Sequence, residues 1–83
     1  MEKKIGKITH FYDRISVAVL SLTDALELGD EIRISGHTTD FTQKITSLEI
    51  EHEKVLTAEP RDEVALKVIE PVRKRDKIYK ITQ

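Results

Sequence analysis

Apolar residues along this chain recur mostly at every second position, the period of a strand with one buried face. Residues 31–36 alternate most cleanly: Ile32 and Ile34 fall on one side, Arg33 and Ser35 on the other. Residues 15–20 carry Ile15, Val17 and Val19 at period two, and residues 63–68 carry Val64, Leu66 and Val68. Residues 5–12 read as a first strand with Ile8 inward, joined to the second by a turn at Asp13-Arg14. Gly6 near its start predicts a bend or a close backbone approach. The last strand, residues 77–81, centres on Ile78. Residues 41–52 form one long pattern whose parity changes, with Ile45 on one face and Leu48 and Ile50 on the other. One extra residue at Thr46-Ser47 reconciles them, which predicts a β-bulge there. Residues 21–28 are a connection whose Leu22, Leu26 and Leu28 suit one helical turn or a loop covering the end of a barrel. Residues 60–70 fit two periods. Val64, Ala65, Val68 and Ile69 suit a helix opened by Pro60, while Val64, Leu66 and Val68 suit a strand, the reading favoured here.

Composition supports strands throughout. Ile, Val and Thr supply 24 of the 83 residues, while Ala, the best helix former, supplies four. One phrase recurs at the turns. Gly29-Asp30-Glu31-Ile32 is echoed by Arg61-Asp62-Glu63-Val64 and by Arg75-Asp76-Lys77-Ile78. Each Asp is placed to accept hydrogen bonds from nearby backbone N–H groups and so fix a turn. The spacings are unequal, so the chemistry of the turn repeats without a solenoid repeat.

These phrases carry a family resemblance. The stretch Leu26-Glu27-Leu28-Gly29-Asp30-Glu31-Ile32-Arg33-Ile34-Ser35-Gly36 resembles the L-x-x-G-D-x-I-x-I-x-G signature of domain II of translational GTPases. Three later pieces resemble that domain in order: Lys44 to Ile50, Ala58-Glu59-Pro60-Arg61-Asp62-Glu63-Val64-Ala65-Leu66, and Arg73-Lys74-Arg75-Asp76-Lys77-Ile78-Tyr79. The similarity covers nearly the whole chain. It implies a small, closed, antiparallel β-barrel of six strands occupying residues 1–83 as a single domain. A similar barrel ends some collagenase-type (U32) peptidases, whose catalytic part would not fit in this chain. The family often has Gly where this chain has Arg61 and Arg75, so those two turns are expected to be reshaped. No G-x-x-x-x-G-K phosphate loop is present, so neither GTPase activity nor nucleotide binding follows. The chain resembles the stand-alone elongation-factor-like proteins.

Length and charge narrow the function further. A chain of 83 residues and 9.5 kDa builds one small core. Cysteine is absent, which excludes disulfides, Cys–zinc sites and thiol catalysis. No apolar run approaches the ~20 residues of a membrane-spanning helix. The charged N-terminus does not read as a signal peptide, which favours the cytoplasm and no membrane partner. His10, His37 and His52 lack ligand spacing, and no G-x-S-x-G elbow surrounds any Ser, so no metal, cofactor or catalytic residue is expected. Glu49, Glu51 and Glu53 are expected on one solvent face of a strand.

The net charge of −1 hides a polarity. Residues 1–20 sum to +2, residues 21–70 to −7 and residues 71–83 to +4. If the two basic ends meet, Lys4, Lys7, Arg73, Lys74, Arg75 and Lys77 form a patch suited to phosphate backbone. The first reading is therefore a non-catalytic module that binds RNA, such as tRNA or the ribosome. A second contact candidate is the loop with His37, Thr38, Thr39 and Phe41. The alternative is a protein-interaction module related to the peptidase barrel, with the acidic strand and the His37 loop as its surface.

Overall fold

The computed structural model describes residues 1–82. It contains ten strands, and no helix occurs among the described residues. Six strands have five or more residues: β1 (Glu2–Tyr12), β2 (Val17–Leu22), β4 (Glu31–Ser35), β5 (Asp40–Lys44), β9 (Glu63–Lys67) and β10 (Lys77–Ile81). Four have two residues: β3 (Leu26–Glu27), β6 (Glu49–Ile50), β7 (Glu53–Lys54) and β8 (Thr57–Ala58). The competing helix over residues 60–70 does not form, because Val64 and Leu66 go inward at strand period on β9.

Pairing is antiparallel throughout. The large sheet runs in the order β5-β4-β10-β1-β2-β9-β6-β7, and β3 pairs with β8 separately. The expected closed six-stranded barrel is thus replaced by an open eight-stranded sheet with a two-stranded partner. One seam is bridged by side chains. Beyond β5 the chain leaves the ladder, and the buried Gln43 carboxamide takes the place of a peptide group. It donates to Lys67 O at 2.8 Å and accepts from Ile69 N at 2.8 Å. Ser47 Oγ accepts from Lys67 N at 3.2 Å. Backbone groups at the end of β9 are satisfied in this way without a neighbouring strand.

The inner face carries one continuous core. Phe41, Ile34 and Ile78 form a row across β5, β4 and β10, and Ile8, Leu20 and Val64 form another across β1, β2 and β9. Leu26 and Ala58 of the small sheet add to it. The pairing register shifts twice within β1, between Lys4 and Gly6 and between Ile8 and His10. These irregularities let Ile5 and Ile8, three positions apart, both reach the core, and they bend the strand.

Two sequence expectations are corrected here. First, β2 turns Ala18, Leu20 and Leu22 inward, so Val17 and Val19 face outward and Ile15 lies in the exposed turn before β2. The buried set wins because Leu20 and Leu22 offer more apolar surface to the core than the valines do. Second, residues 41–52 are not one bulged strand. The chain leaves the ladder after Lys44, and β6 and β7 form a separate hairpin. Its two turn residues, Glu51 and His52, both hold positive φ (51° and 66°). That is the requirement of a two-residue hairpin turn, usually met by Asn-Gly.

The recurring turn phrase folds as one device, used three times. The Asp30, Asp62 and Asp76 carboxylates accept from the N–H groups of Glu27, Glu59 and Arg73 at 2.8–2.9 Å. The residue before each Asp has positive φ: Gly29 at 93°, Arg61 at 77° and Arg75 at 79°. Each turn also clips a distant backbone. Gly29 N and Asp30 O bind Ile45, Arg61 N and Asp62 O bind Leu22, and Arg75 N and Asp76 O bind Ile8. The two arginine turns are therefore not reshaped. They keep the glycine-type backbone at a cost of about 1–2 kcal/mol each, offset by the two backbone hydrogen bonds each clip supplies. Asp76 is buried, and its carboxylate lies where a Cβ on Gly36 would project, so position 36 admits no side chain without a shift.

Candidate interaction surfaces

Antiparallel pairing of β1 with β10 brings the two basic ends together, as the charge polarity anticipated. Lys7 lies directly opposite Lys77, Lys3 opposite Lys80, and Lys4 opposite Tyr79. Arg73, Lys74 and Arg75 occupy the exposed turn that leads into β10. Part of this charge is neutralised locally. Lys3 pairs with Asp24 at 2.5 Å and Lys80 with Asp30 at 3.2 Å. Arg33 bridges Asp40 at 2.8 Å and Glu2 at 3.2 Å. The Asp24 carboxyl is held below its ordinary pKa by its hydrogen bond to Lys3, then by the Ala25 N–H. Asp40 is held low by its hydrogen bond to Arg33, and the Arg33 guanidinium is held still more firmly charged by Asp40 and then Glu2. Lys4, Lys7 and Lys77 are exposed and form no ion pair among the described residues.

The loop predicted as a second contact divides. His37 and Thr38 are exposed, but Thr39 and Phe41 are buried, with Phe41 in the core row beside Ile34. Only the first two remain available to a partner. The histidines do not converge: no group of three potential metal-ligating side chains occurs among the described residues. His10 instead packs edge-on against Tyr12, with ring centroids 4.3 Å apart.

Glu49 and Glu51 of the predicted acidic surface fall on a cleft in the outer face of β2, β9 and β6, whose apolar floor and Glu63 the sequence reading missed. A cleft of about 550 Å³ is floored by Val17, Val19 and Ala65, with Tyr12 and Ile15 at one end. Val19 lies opposite Ala65, which in turn lies opposite Glu49, so the floor crosses three strands in register. Ala65 supplies the depth because its side chain stops at Cβ between longer neighbours. Tyr12 and Ile15 are 51% and 59% exposed, so the apolar surface continues beyond the cleft. Glu49, Glu51 and Glu63 line its rim, with His52 and Lys67. None of the three glutamates forms an ion pair among the described residues. Glu53 does not join them, because the turn at Glu51-His52 places it on the returning strand opposite Ile50. The sequence held a signal for this surface: Val17 and Val19 alternate with Ala18 and Leu20, so both faces of β2 are apolar.

Comparison with known proteins bears on the two resemblances. No protein-family model matches the chain. It is 35% identical over 77 residues to an uncharacterized protease of Methanocaldococcus jannaschii, covering 92% of this chain and 19% of that protein. It is 33% identical over 78 residues to a collagenase of Porphyromonas gingivalis, covering 92% of this chain and 22% of that protein. The chain thus spans about a fifth of the length of the curated relatives it matches. Among solved structures, the C-terminal domain of a Geobacillus thermoleovorans protein described as a U32 peptidase superposes with a TM-score of 0.88. The identity is 22%, with 94% of this chain and 91% of that one covered. Its selenomethionine variant gives a TM-score of 0.87 over 92% of this chain and 96% of that one, also at 22% identity. Of the two resemblances drawn from the sequence, these findings support the one to the peptidase barrel and leave the translation-factor identity without support. The chain has the fold of the C-terminal domain of a U32 peptidase.

Proposed function

We propose that this chain is a non-catalytic recognition module, of the kind that ends U32-type peptidases, and that it docks protein through the cleft of β2, β9 and β6. The observation that carries the reading is the outward-facing floor of Val17, Val19 and Ala65. Elsewhere the outer face of the same sheet carries Lys7, Lys77, Glu31 and Arg33, with Tyr79 as a half-buried aromatic among them. An apolar patch with a polar rim is the ordinary form of a protein-binding surface. The fold shared with a peptidase's C-terminal domain, and the protease and collagenase relatives, support an accessory role beside a catalytic part. The test is retention from a nuclease-treated cell extract on immobilised chain. Polypeptides held by the native chain should be lost from an Ala65→Arg variant, which fills the cleft without touching the core. Equal retention by the two contradicts the reading.

A second reading keeps RNA as the partner. The observation in its favour is the exposed Lys7–Lys77 pair, since like charges directly opposite weaken a sheet and need another reason to be there. Lys4, Arg73, Lys74 and Arg75 would extend the patch. Titration with tRNA over a salt series checks it. Affinity should fall steeply with salt, and more weakly once Arg73 and Arg75 are neutralised. Absence of binding at low salt removes it.

A further inference from the structure

Resting on the docking role above, we infer that the occupant of the cleft is an extended polypeptide segment in which apolar residues alternate with lysine or arginine. Two features converge on that chemistry.

The first is the floor. Val17 and Val19 are two positions apart on one strand, and side chains two apart on a strand lie about 6.6–6.8 Å from each other. An extended segment lying along β2 has the same spacing and sets alternate side chains over the two valines and Ala65.

The second is the rim. Glu49, Glu51 and Glu63 bring three carboxylates to one cleft, against Lys67 as the rim's only lysine or arginine. Asp24 is engaged with Lys3, Asp30 with Lys80, and Asp40 and Glu2 with Arg33. Of the carboxylates that form no ion pair among the described residues, Glu49, Glu51 and Glu63 share one cleft. Cations supplied by a partner would complete them, while acidic segments would be repelled.

The test is fluorescence anisotropy with three labelled, end-blocked pentapeptides added to the full chain: Lys-Val-Lys-Val-Lys, Lys-Gly-Lys-Gly-Lys and Glu-Val-Glu-Val-Glu. The first should bind at least tenfold more tightly than either control. A Glu49→Gln, Glu51→Gln, Glu63→Gln triple variant should lose about tenfold in affinity for it, or about 1.4 kcal/mol. All three changes are at the surface and keep the side-chain shape, so circular dichroism should be unchanged. Equal binding of the Lys-Val and Lys-Gly peptides shows charge attraction alone and overturns the inference. Equal binding of the Glu-Val peptide, lost in Ala65→Arg, also overturns it while leaving the docking role standing. Binding by none of the three overturns it too, and the docking role is then decided separately by the retention experiment.

Discussion

On their inner face the β1–β10 pair and the β2–β9 pair are alike, each contributing fully buried Ile, Leu or Val side chains to the core. On their outer face they part. The β1–β10 face carries Lys4, Lys7, Lys77 and Tyr79, beside the ion-paired Arg33 of β4, while Lys3 and Lys80 lie on the other face, paired with Asp24 and Asp30. The β2–β9 face carries valines and an alanine beneath glutamates that pair with nothing among the described residues. Folding needs only the inner faces, so the outer faces are free to differ. The contrast separates the face that holds the molecule together from the face left to solvent.

The sharpest way to test that separation is to delete equivalent bulk from the two sides. Ile78→Ala removes a fully buried side chain and should destabilise by about 2–5 kcal/mol in urea unfolding. Val19→Ala, on the outer face of β2, should cost less than about 1 kcal/mol, since only part of its surface is buried. A cost for Val19→Ala equal to that of Ile78→Ala would make Val19 a core residue and remove the cleft as a free surface.

The turns on the two sides should respond alike. Arg61 clips Leu22 before β9, and Arg75 clips Ile8 before β10, both at positive φ. Replacing either with Gly relieves about 1–2 kcal/mol of backbone strain and returns some of it as unfolded-state freedom. Each variant should gain about 0.5–1 kcal/mol in the same unfolding assay. A loss in one alone would mean that its side chain, not its backbone, holds that turn.

Smaller effects come from the charged face. Lys77→Glu sets a carboxylate opposite Lys7 and should stabilise the chain by about 0.2–1 kcal/mol, a gain that fades with added salt. If stability falls instead, the lysines are not repelling each other. The smallest effect is that of pH on Asp40. Its folded pKa is depressed by Arg33, so the stability it contributes is present above the unfolded value of about 3.9 and is lost as pH falls through the lower folded value. Carboxyl-detected NMR should place its midpoint below 3.9 by that argument. Arg33→Gln should move the midpoint back up, and an unmoved midpoint would deny the pairing.

Much of the fold was legible in the chain. Alternation located the six longer strands, and the three Asp turns were readable because their geometry depends on local hydrogen bonds. What failed depended on distant partners. Val17 and Val19 match the period of a buried face as well as Ala18 and Leu20 do, and only packing against Ile8 and Val64 decides between them. The hairpin at Glu51-His52 was hidden because neither residue belongs to the usual turn formers. Arg61 and Arg75 were expected to alter their turns, but the clips to Leu22 and Ile8 impose the backbone regardless of the side chain. The basic side was readable from charge once the two chain ends are paired. Of the cleft, Glu49 and Glu51 were readable as an acidic surface, but its floor was not, because ordinary valines and one alanine from strands far apart in sequence build it.

The docking proposed above places a protein partner on the β2–β9 outer face and not on the β1–β10 face. The most direct measurement is photo-crosslinking in cells, with p-benzoyl-phenylalanine placed at Ala65 in one variant and at Lys7 in another. Both sites are on the outer face, so both variants should fold. The account predicts discrete protein adducts from position 65 and none from position 7. Adducts from position 7 alone, or nuclease-sensitive adducts there with none at 65, would contradict it.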